Sequence, residues 1–503
     1  MRYNQSKKSL EDKSLMNHVV KAQDLTYFTR AQATEQLRQL EEQHQLFQYC
    51  VDGHSIWQLL RAHVGIRFIN FPPVEQATDL KVERPNWVML ALRESFNFLF
   101  ARRADYVVRT ASSALREKEA GLYKDVYFDD LLKEIGSAYK IETINSPLYY
   151  DRRKQALIPI AITTSTIDFA VKVLARLPAP KKTRTIAKQI SLILQAEPVL
   201  QTFTYRWILM VIQRFYWLKR LYRYLLRRVR PKAVLVWNTG SGYAIWAAAQ
   251  ELGILTVEVQ HGIFHRDHPE VLSISAIPYR KSLIIPDKIF LFGEHWMNEL
   301  KKNQFYEREP VPVGSSQIDH YRQVRLEQKR LKSQDGQCVI VLTTQGLSRD
   351  GLIQFVADFL QAAQGKLDYS LYIKLHPRRE LRKSAYEQVL GNNPNVHILL
   401  GSENPSTYEL LSQADFHISI ASASHYDALG LGVPTIILPL AGHELMMDLI
   451  NAGHAYLART PQDLLEYILA SRTLSISSEI SNYYFTPGAI QNMVRELKGF
   501  DSP

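Results

Sequence analysis

Ala233-Val-Leu-Val-Trp-Asn-Thr-Gly-Ser-Gly-Tyr-Ala-Ile-Trp-Ala-Ala-Ala-Gln-Glu-Leu-Gly-Ile-Leu-Thr-Val-Glu-Val-Gln-His-Gly262 is the stretch that decides the fold class. Val234, Leu235 and Val236 make a short continuous apolar run, the pattern of a strand covered on both faces. Asn238-Thr-Gly-Ser-Gly reads as a loop, and residues 243–252 read as a helix stopped by Gly253. A second strand, 254–259, is broken by Gln260-His-Gly. Strand, helix, strand in succession is a βαβ unit, and such units build parallel sheets.

The rhythm extends in both directions. Downstream, 287–292, 311–314, 339–343, 371–375, 396–399, 416–420 and 435–438 are strand candidates with helical segments between them. Helices over 445–452, 461–470 and 488–497 close the chain. Upstream, 105–109 and 139–144 are strand candidates, and residues 1–100 read mostly helical. Pro178-Ala-Pro-Lys-Lys opens a helical segment that Pro231 ends. The economical architecture is α/β: two Rossmann-like domains facing a cleft, with a helical N-terminal extension and a basic helical insertion. The expected bounds are 1–100 for the extension, 101–275 for the first domain including the basic segment 178–232, and 285–470 for the second. Residues 471–503 are C-terminal helices placed to cross back onto the first domain.

Composition removes several classes. Among 503 residues 46% are hydrophobic and 22% charged, which is globular. Two cysteines, Cys50 and Cys338, leave no disulfide scaffold or cysteine zinc cluster and fit a reducing compartment. The polar start Met1-Arg-Tyr-Asn-Gln-Ser-Lys-Lys has no apolar core behind it, so no signal peptide is expected. No run reaches the ~18 apolar residues of a spanning helix. A cytoplasmic protein, able to sit peripherally on the inner face of the cytoplasmic membrane, is expected.

The net charge of +11 has one source. Between Pro178 and Lys232 stand thirteen basic residues and one acid, Glu197, so the rest of the chain is close to neutral. Phe203, Tyr205, Trp207, Phe215, Tyr216, Trp217, Tyr222 and Tyr224 interleave with the arginines. Basic plus aromatic on a helix suits anionic lipid headgroups, so 202–230 is a candidate membrane-facing helix. The same pattern fits a helix whose aromatics pack inward and whose arginines stay in water. No nucleic-acid module is recognisable, and no nucleic-acid partner is expected.

Three motifs carry chemistry. Tyr372-Ile-Lys-Leu-His-Pro-Arg-Arg-Glu ends a strand with His376-Pro377, and Lys374 and Arg378 stand nearby as phosphate donors. Alone it reads as a solvated basic turn. Ile418-Ser-Ile-Ala-Ser-Ala-Ser-His-Tyr-Asp-Ala-Leu-Gly-Leu-Gly-Val-Pro ends a strand in Ser422 and Ser424 at a helix start, with Asp427 one turn on. Alone, Ser424 is equally an N-cap. Two such motifs ~45 residues apart in adjacent βα units read together as one site. The third, Val257-Glu-Val-Gln-His-Gly-Ile-Phe-His-Arg-Asp-His, delivers Gln260, His261 and Gly262 to the cleft from the first domain, Gly262 serving the turn. His261 is the candidate general base or phosphate contact. Glu258, Asp125, Asp129 and Asp130 are carboxylates to weigh for the same role. His265, Asp267 and His268 raise a metal reading, but their irregular loop spacing leaves no metal expected. Gly314 and the Thr344-Gln345 turn lie at strand ends suited to a pyrophosphate or sugar, and Asn238 and Gly240 suit the acceptor side.

The paired His-Pro and Ser-Ser motifs resemble GT-B glycosyltransferases of bacterial capsule and lipopolysaccharide-type polysaccharides. The nearest types are the CMP-sugar sialyl-, polysialyl- and Kdo-transferases and the CDP-glycerol polymerases. The stretch Asp427-Ala-Leu-Gly-Leu-Gly-Val-Pro also resembles the acidic donor motif general to GT-B folds, including UDP-sugar enzymes and UDP-GlcNAc 2-epimerases. The resemblance spans about 233–470. It implies that His376 contacts the nucleotide, that Ser422 and Ser424 hold its phosphate, and that Asp427 takes the ribose. It implies a nucleotide-sugar donor, a glycan or lipid-linked acceptor, and no cofactor or metal. A UDP-sugar 2-epimerase and a non-catalytic GT-B scaffold are the competing readings.

Overall fold

The computed structural model describes residues 30–69, 87–144, 152–331, 337–377, 379–471 and 476–499. Among them are two all-parallel sheets. The first contains β1 (Tyr106–Ala111), β2 (Ala138–Thr143), β3 (Ile162–Thr163), β4 (Ala233–Val236), β5 (Leu255–Val259), β6 (Lys288–Leu291) and β7 (Pro310–Pro312). Their order across the sheet is β3-β2-β1-β4-β5-β6-β7. The second contains β8 (Cys338–Thr343), β9 (Tyr369–Lys374), β10 (Val396–Leu399), β11 (Phe416–Ser419), β12 (Thr435–Ile437) and β13 (Tyr456–Leu457), ordered β10-β9-β8-β11-β12-β13. Each order reverses once, between β1 and β4 and between β8 and β11. These are the two switch points of two Rossmann-like domains, the GT-B arrangement, and ligands bind outside the strand ends there.

The expected domain border needs moving. Strands β6 and β7 were expected to begin the second series, yet Ile289 pairs with Glu258 of β5, and Phe290 with Val311 of β7. The first sheet therefore runs to Pro312, and helix Ser316–Leu331 leads to the second. Successive βα units look alike in sequence, and only strand pairing tells which sheet a unit joins.

The C-terminal segment crosses back onto the first domain. Ala489, Met493 and Leu497 of helix Ala489–Lys498 pack with Leu131, Val257 and Phe290. Their spacing of four places them on one buried face, with Ile490 and Val494 packed at its edge. On the way, Trp296 Nε1 donates to the Tyr484 carbonyl at 3.1 Å, and Arg322 donates to the carbonyls of Gly430, Ser481 and Phe485.

The basic segment forms two helices, Lys181–Gln195 and Tyr205–Val229. Thr204 Oγ1 caps the second, accepting from the Trp207 N–H, and Arg230 ends it in a left-handed conformation ahead of Pro231. Phe203, Phe215 and Tyr222 are buried, so much of the aromatic face expected for lipid packs into the protein instead. The buried Lys219 is answered by Asp52 and by Glu251 at 2.8 Å. Arg206, Arg214, Arg220, Arg227 and Arg228 remain exposed. No helix among the described residues is long and apolar enough to cross a membrane.

Candidate functional site

The strand ends of both switch points open onto one cavity of about 300 Å³. The first domain contributes Arg116, Tyr127, His261, Gly262, Phe292 and Gln317. The second contributes Thr344, Gln345, Lys374, His376, Pro377, Ser422, Ser424 and Asp427, and Phe485 of the crossover closes one wall. Both motifs read from the second domain thus meet in the cleft, as does the Gln-His-Gly turn. Arg378 lies outside the described residues.

On the second-domain side, polar groups lock three loops together. Gln345 Nε2 donates to Ser422 Oγ at 2.9 Å, and Ser422 Oγ also accepts from the Ser424 N–H at 3.2 Å. The His376 N–H donates to Thr344 Oγ1 at 3.0 Å, and the Thr344 hydroxyl donates to Glu380. Glu380 further accepts from the Gly346 N–H and the Tyr386 hydroxyl. The sequence alone gives Glu380 no role. It ends the His376 motif, but only the fold shows that it ties that turn to the Thr344 turn.

Lys374 lines the cavity, but its ammonium donates to the carbonyls of Glu403 and Pro405, and burial lowers its pKa to about 8. It shapes the 403–405 loop rather than pointing a free charge at a phosphate. Ser424 is the first residue of helix Ser424–Gly430 rather than its N-cap, a position held by Ala423. Asp427 is half-buried one turn on. Burial pushes its carboxyl up to about 7, although a hydrogen bond with the Tyr408 side chain pulls the other way.

On the first-domain side, Gln260 braces its turn: Oε1 accepts from the Phe292 N–H at 2.8 Å and Nε2 donates to the Gly262 carbonyl at 2.7 Å. It supports the cavity without lining it. Gly262 was expected to serve a sharp turn, but its φ lies outside the left-handed region and a methyl there would meet nothing. The absence of a side chain keeps the cavity open. The His261 ring lies edge-on to Trp237 at 4.7 Å, and its Nδ1 has no hydrogen-bond partner. Burial, with the Arg116 guanidinium in support, lowers its pKa to about 4, so the ring is neutral at physiological pH.

Other candidates are placed away from the cavity. Glu258 is buried beneath the turn, takes a hydrogen bond from the Thr239 hydroxyl, and is pushed by burial up to about 8. Asn238-Thr-Gly-Ser-Gly was expected as an acceptor-side loop; Thr239 instead opens helix Thr239–Gln250. A Cβ on Gly240 would stand 2.4 Å from Glu270 Oε1, so the chain's own carboxyl occupies that helix start. Gly314 turns the chain at φ +105° beneath the crossover and does not line the cavity, whereas its neighbour Ser315 does. Asp125 and Asp129 are buried against Lys140, and Asp130 pairs with Lys124 at 2.7 Å. His265 joins the domains: its Nε2 is 3.0 Å from Asp448 and 3.5 Å from Glu299.

Arg116 is the functional group that sequence reasoning missed. It sits on the hairpin after β1, with Nε donating to the Ser113 carbonyl and the guanidinium 6.0 Å from the Tyr127 ring centre. Its charge reaches His261, Tyr408 and Asp427, hence both walls of the cavity.

Buried titrating groups set the pH dependence of stability. Burial raises Glu258 to about 8 and Glu142, Glu270 and Asp427 to about 7. Each holds its proton in the fold after the unfolded chain has lost it, so stability falls as pH climbs towards the folded value. Burial lowers His261 and His295 to about 4 and His425 to about 3, so stability falls as pH drops from 6.5 towards those values. The two sets oppose each other between 4.5 and 6.5, and above 6.5 only the carboxyls act. Tm is expected to decline from pH 6.5 to 8, and Glu258→Gln to flatten the decline; a level wild-type Tm across that window would contradict this.

No protein-family model and no curated protein matches the sequence. Solved structures do match. UDP-GlcNAc 2-epimerase from Neisseria meningitidis, bound to UDP-GlcNAc, has a TM-score of 0.48 at 15% identity over 78% of this chain and 100% of that one. MurG from Acinetobacter baumannii has 0.45 at 15% over 78% and 99%, and the glycotransferase of kitacinnamycin has 0.40 at 12% over 79% and 96%.

Proposed function

We propose that this protein is a glycosyltransferase that moves a sugar from a nucleotide-activated donor, of CMP or CDP type, to a glycan or lipid-linked acceptor of surface polysaccharide. The observation that carries this reading is the meeting, in one cleft, of the His261 imidazole from one domain with a hydroxyl and amide cluster from the other. The second domain holds the donor. Ser422, Ser424, Gln345 and the His376 turn form the phosphate wall, with Asp427 placed for the ribose. Arg116 faces the leaving phosphate across the cleft and supplies positive charge, so no metal is required in this scheme. The His261 imidazole takes the proton from the acceptor hydroxyl. The acceptor oxygen bonds to the anomeric carbon as the carbon–phosphate-oxygen bond breaks, and the nucleoside phosphate leaves with that electron pair. A bound phosphate would also raise the basicity of His261, since a nearby negative charge favours the imidazolium.

Thermal shift with a nucleotide panel tests the donor assignment. CMP or CDP compounds are expected to raise Tm by several degrees at saturating concentration, and His376→Ala to abolish the shift. A shift with UDP compounds alone would replace the cytidine reading with a uridine-sugar enzyme, an epimerase included. No shift with any nucleotide would leave a non-catalytic scaffold. Mass spectrometry of reactions with nucleotide-sugars and lipid-linked acceptors then separates transfer from epimerisation.

A further inference from the structure

Helix Trp87–Leu99 is amphipathic in the wrong sense for a soluble surface. Its acid is inside: Glu94 is buried, pairs with Arg153 at 2.6 Å and accepts from the Thr163 N–H and the hydroxyls of Thr163 and Thr166. Phe98 also packs inward, but several of the helix's large apolar side chains are outside. Met89, Leu92 and Phe96 are 63, 64 and 67% exposed, and Leu99 and Phe100 continue the stripe at helical spacing. Helix Thr164–Leu174 packs beside it and adds Phe169 and Val173, with Leu177 just beyond its end. Lys172 and Arg176 alternate with these three along the same exposed face. An apolar strip this long is rare on a monomer unless something covers it.

We infer that these two helices form a membrane-docking face whose partner is an anionic lipid surface. Charge selects this occupant. Lys172 and Arg176 stand inside the strip and Arg102 and Arg103 follow its end, all exposed. Helix Tyr205–Val229 is attached to the strip by Tyr224 Oη donating to the Leu99 carbonyl and by Gln213 Nε2 donating to the Leu177 carbonyl. The exposed arginines of that helix extend the positive field along the flank. Asp168, on helix Thr164–Leu174, is already held by Arg214 at 2.6 Å. Aliphatic and phenyl groups would enter the acyl boundary while Lys172 and Arg176 reach headgroup phosphates. The basic helix is the electrostatic rim, and the inserting surface is supplied by other elements. The inference stands apart from the chemistry proposed for the cleft.

Vesicle flotation of the full chain tests it. Wild-type protein is expected to float with mixed phosphatidylglycerol–phosphatidylcholine vesicles and only weakly with phosphatidylcholine alone. Leu92→Ser/Phe96→Ser/Phe100→Ser should weaken flotation at least about tenfold. Phe169→Ser/Val173→Ser/Leu177→Ser on the neighbouring helix should do the same, and each variant is checked by an unchanged thermal transition. Lys172→Gln/Arg176→Gln should remove the preference for phosphatidylglycerol. Failure of the wild type to float, or undiminished flotation of both apolar variants, overturns the inference. So does a solution dimer that the apolar variants dissolve, since a second copy would then cover the face.

Discussion

His261→Ala is expected to lower turnover by about 10²–10⁴-fold, the usual worth of a positioned general base. Nucleotide-dependent stabilisation should persist, because the phosphate wall belongs to the other domain. The two readouts must separate for the assignment to hold. Loss of both would make His261 a donor contact, and a turnover within about tenfold of wild type would remove it from proton transfer. His261→Asn is the useful companion, since it keeps a polar group at the wall while removing the basic nitrogen. The pH profile gives a further check. With a folded pKa of about 4 the base is already deprotonated at neutrality, so the acid limb should lie well below that of an exposed histidine. In the enzyme–donor complex the limb should move up, because the donor phosphate stabilises the imidazolium.

The second domain was legible because each of its functional groups sits on a single turn directly after a strand. His376 follows β9 and Ser422 follows β11, and local spacing fixes which way such turns face. The first domain was legible only at Gln260-His261-Gly262, for the same reason. Asn238 to Gly242 imitated a ligand loop, since glycine in sequence does not say whether a ligand or the chain's own Glu270 fills the space. Glu258 looked like a candidate base next to His261, yet strand alternation turns it away and buries it. Arg116 left no signal. It reaches the cavity from a hairpin whose place depends on β1 pairing with β4, a contact between residues far apart in the chain. Which groups of the basic segment stay on the surface was decided by the same kind of fact. The chain has a cationic aromatic helix, but tertiary packing consumed much of its aromatic face and left exposed apolar residues on two helices that charge counting ignores.

Gly314→Ala is expected to be among the most damaging single-methyl additions in the chain. The residue turns at φ +105°, and a Cβ there would lie 2.1 Å from the Thr486 carbonyl oxygen and 3.0 Å from Ala489 Cβ. The crossover cannot retreat cheaply, because it is pinned on both sides. The Thr486 N–H donates to the Phe292 carbonyl at 2.8 Å and the Ala489 N–H to Asp319 at 2.7 Å. Asn492 Nδ2 donates to the Val313 carbonyl at 3.0 Å. Left-handed strain of about 1–3 kcal/mol and overpacking of about 1–3 kcal/mol together predict a loss of roughly 2–6 kcal/mol. Gly453→Ala separates these causes, since Gly453 has φ +70° but nothing within 4 Å of its added methyl. That control should show the strain alone. The damage at Gly314 should also reach the cleft, because Phe485 adjoins Thr486, stacks on Phe292 at 5.1 Å and lines the cavity. Denaturant unfolding of the variant should therefore show an earlier transition together with weakened nucleotide stabilisation. If Gly314→Ala unfolds no earlier than Gly453→Ala, the crossover is not the part that ties the two domains together.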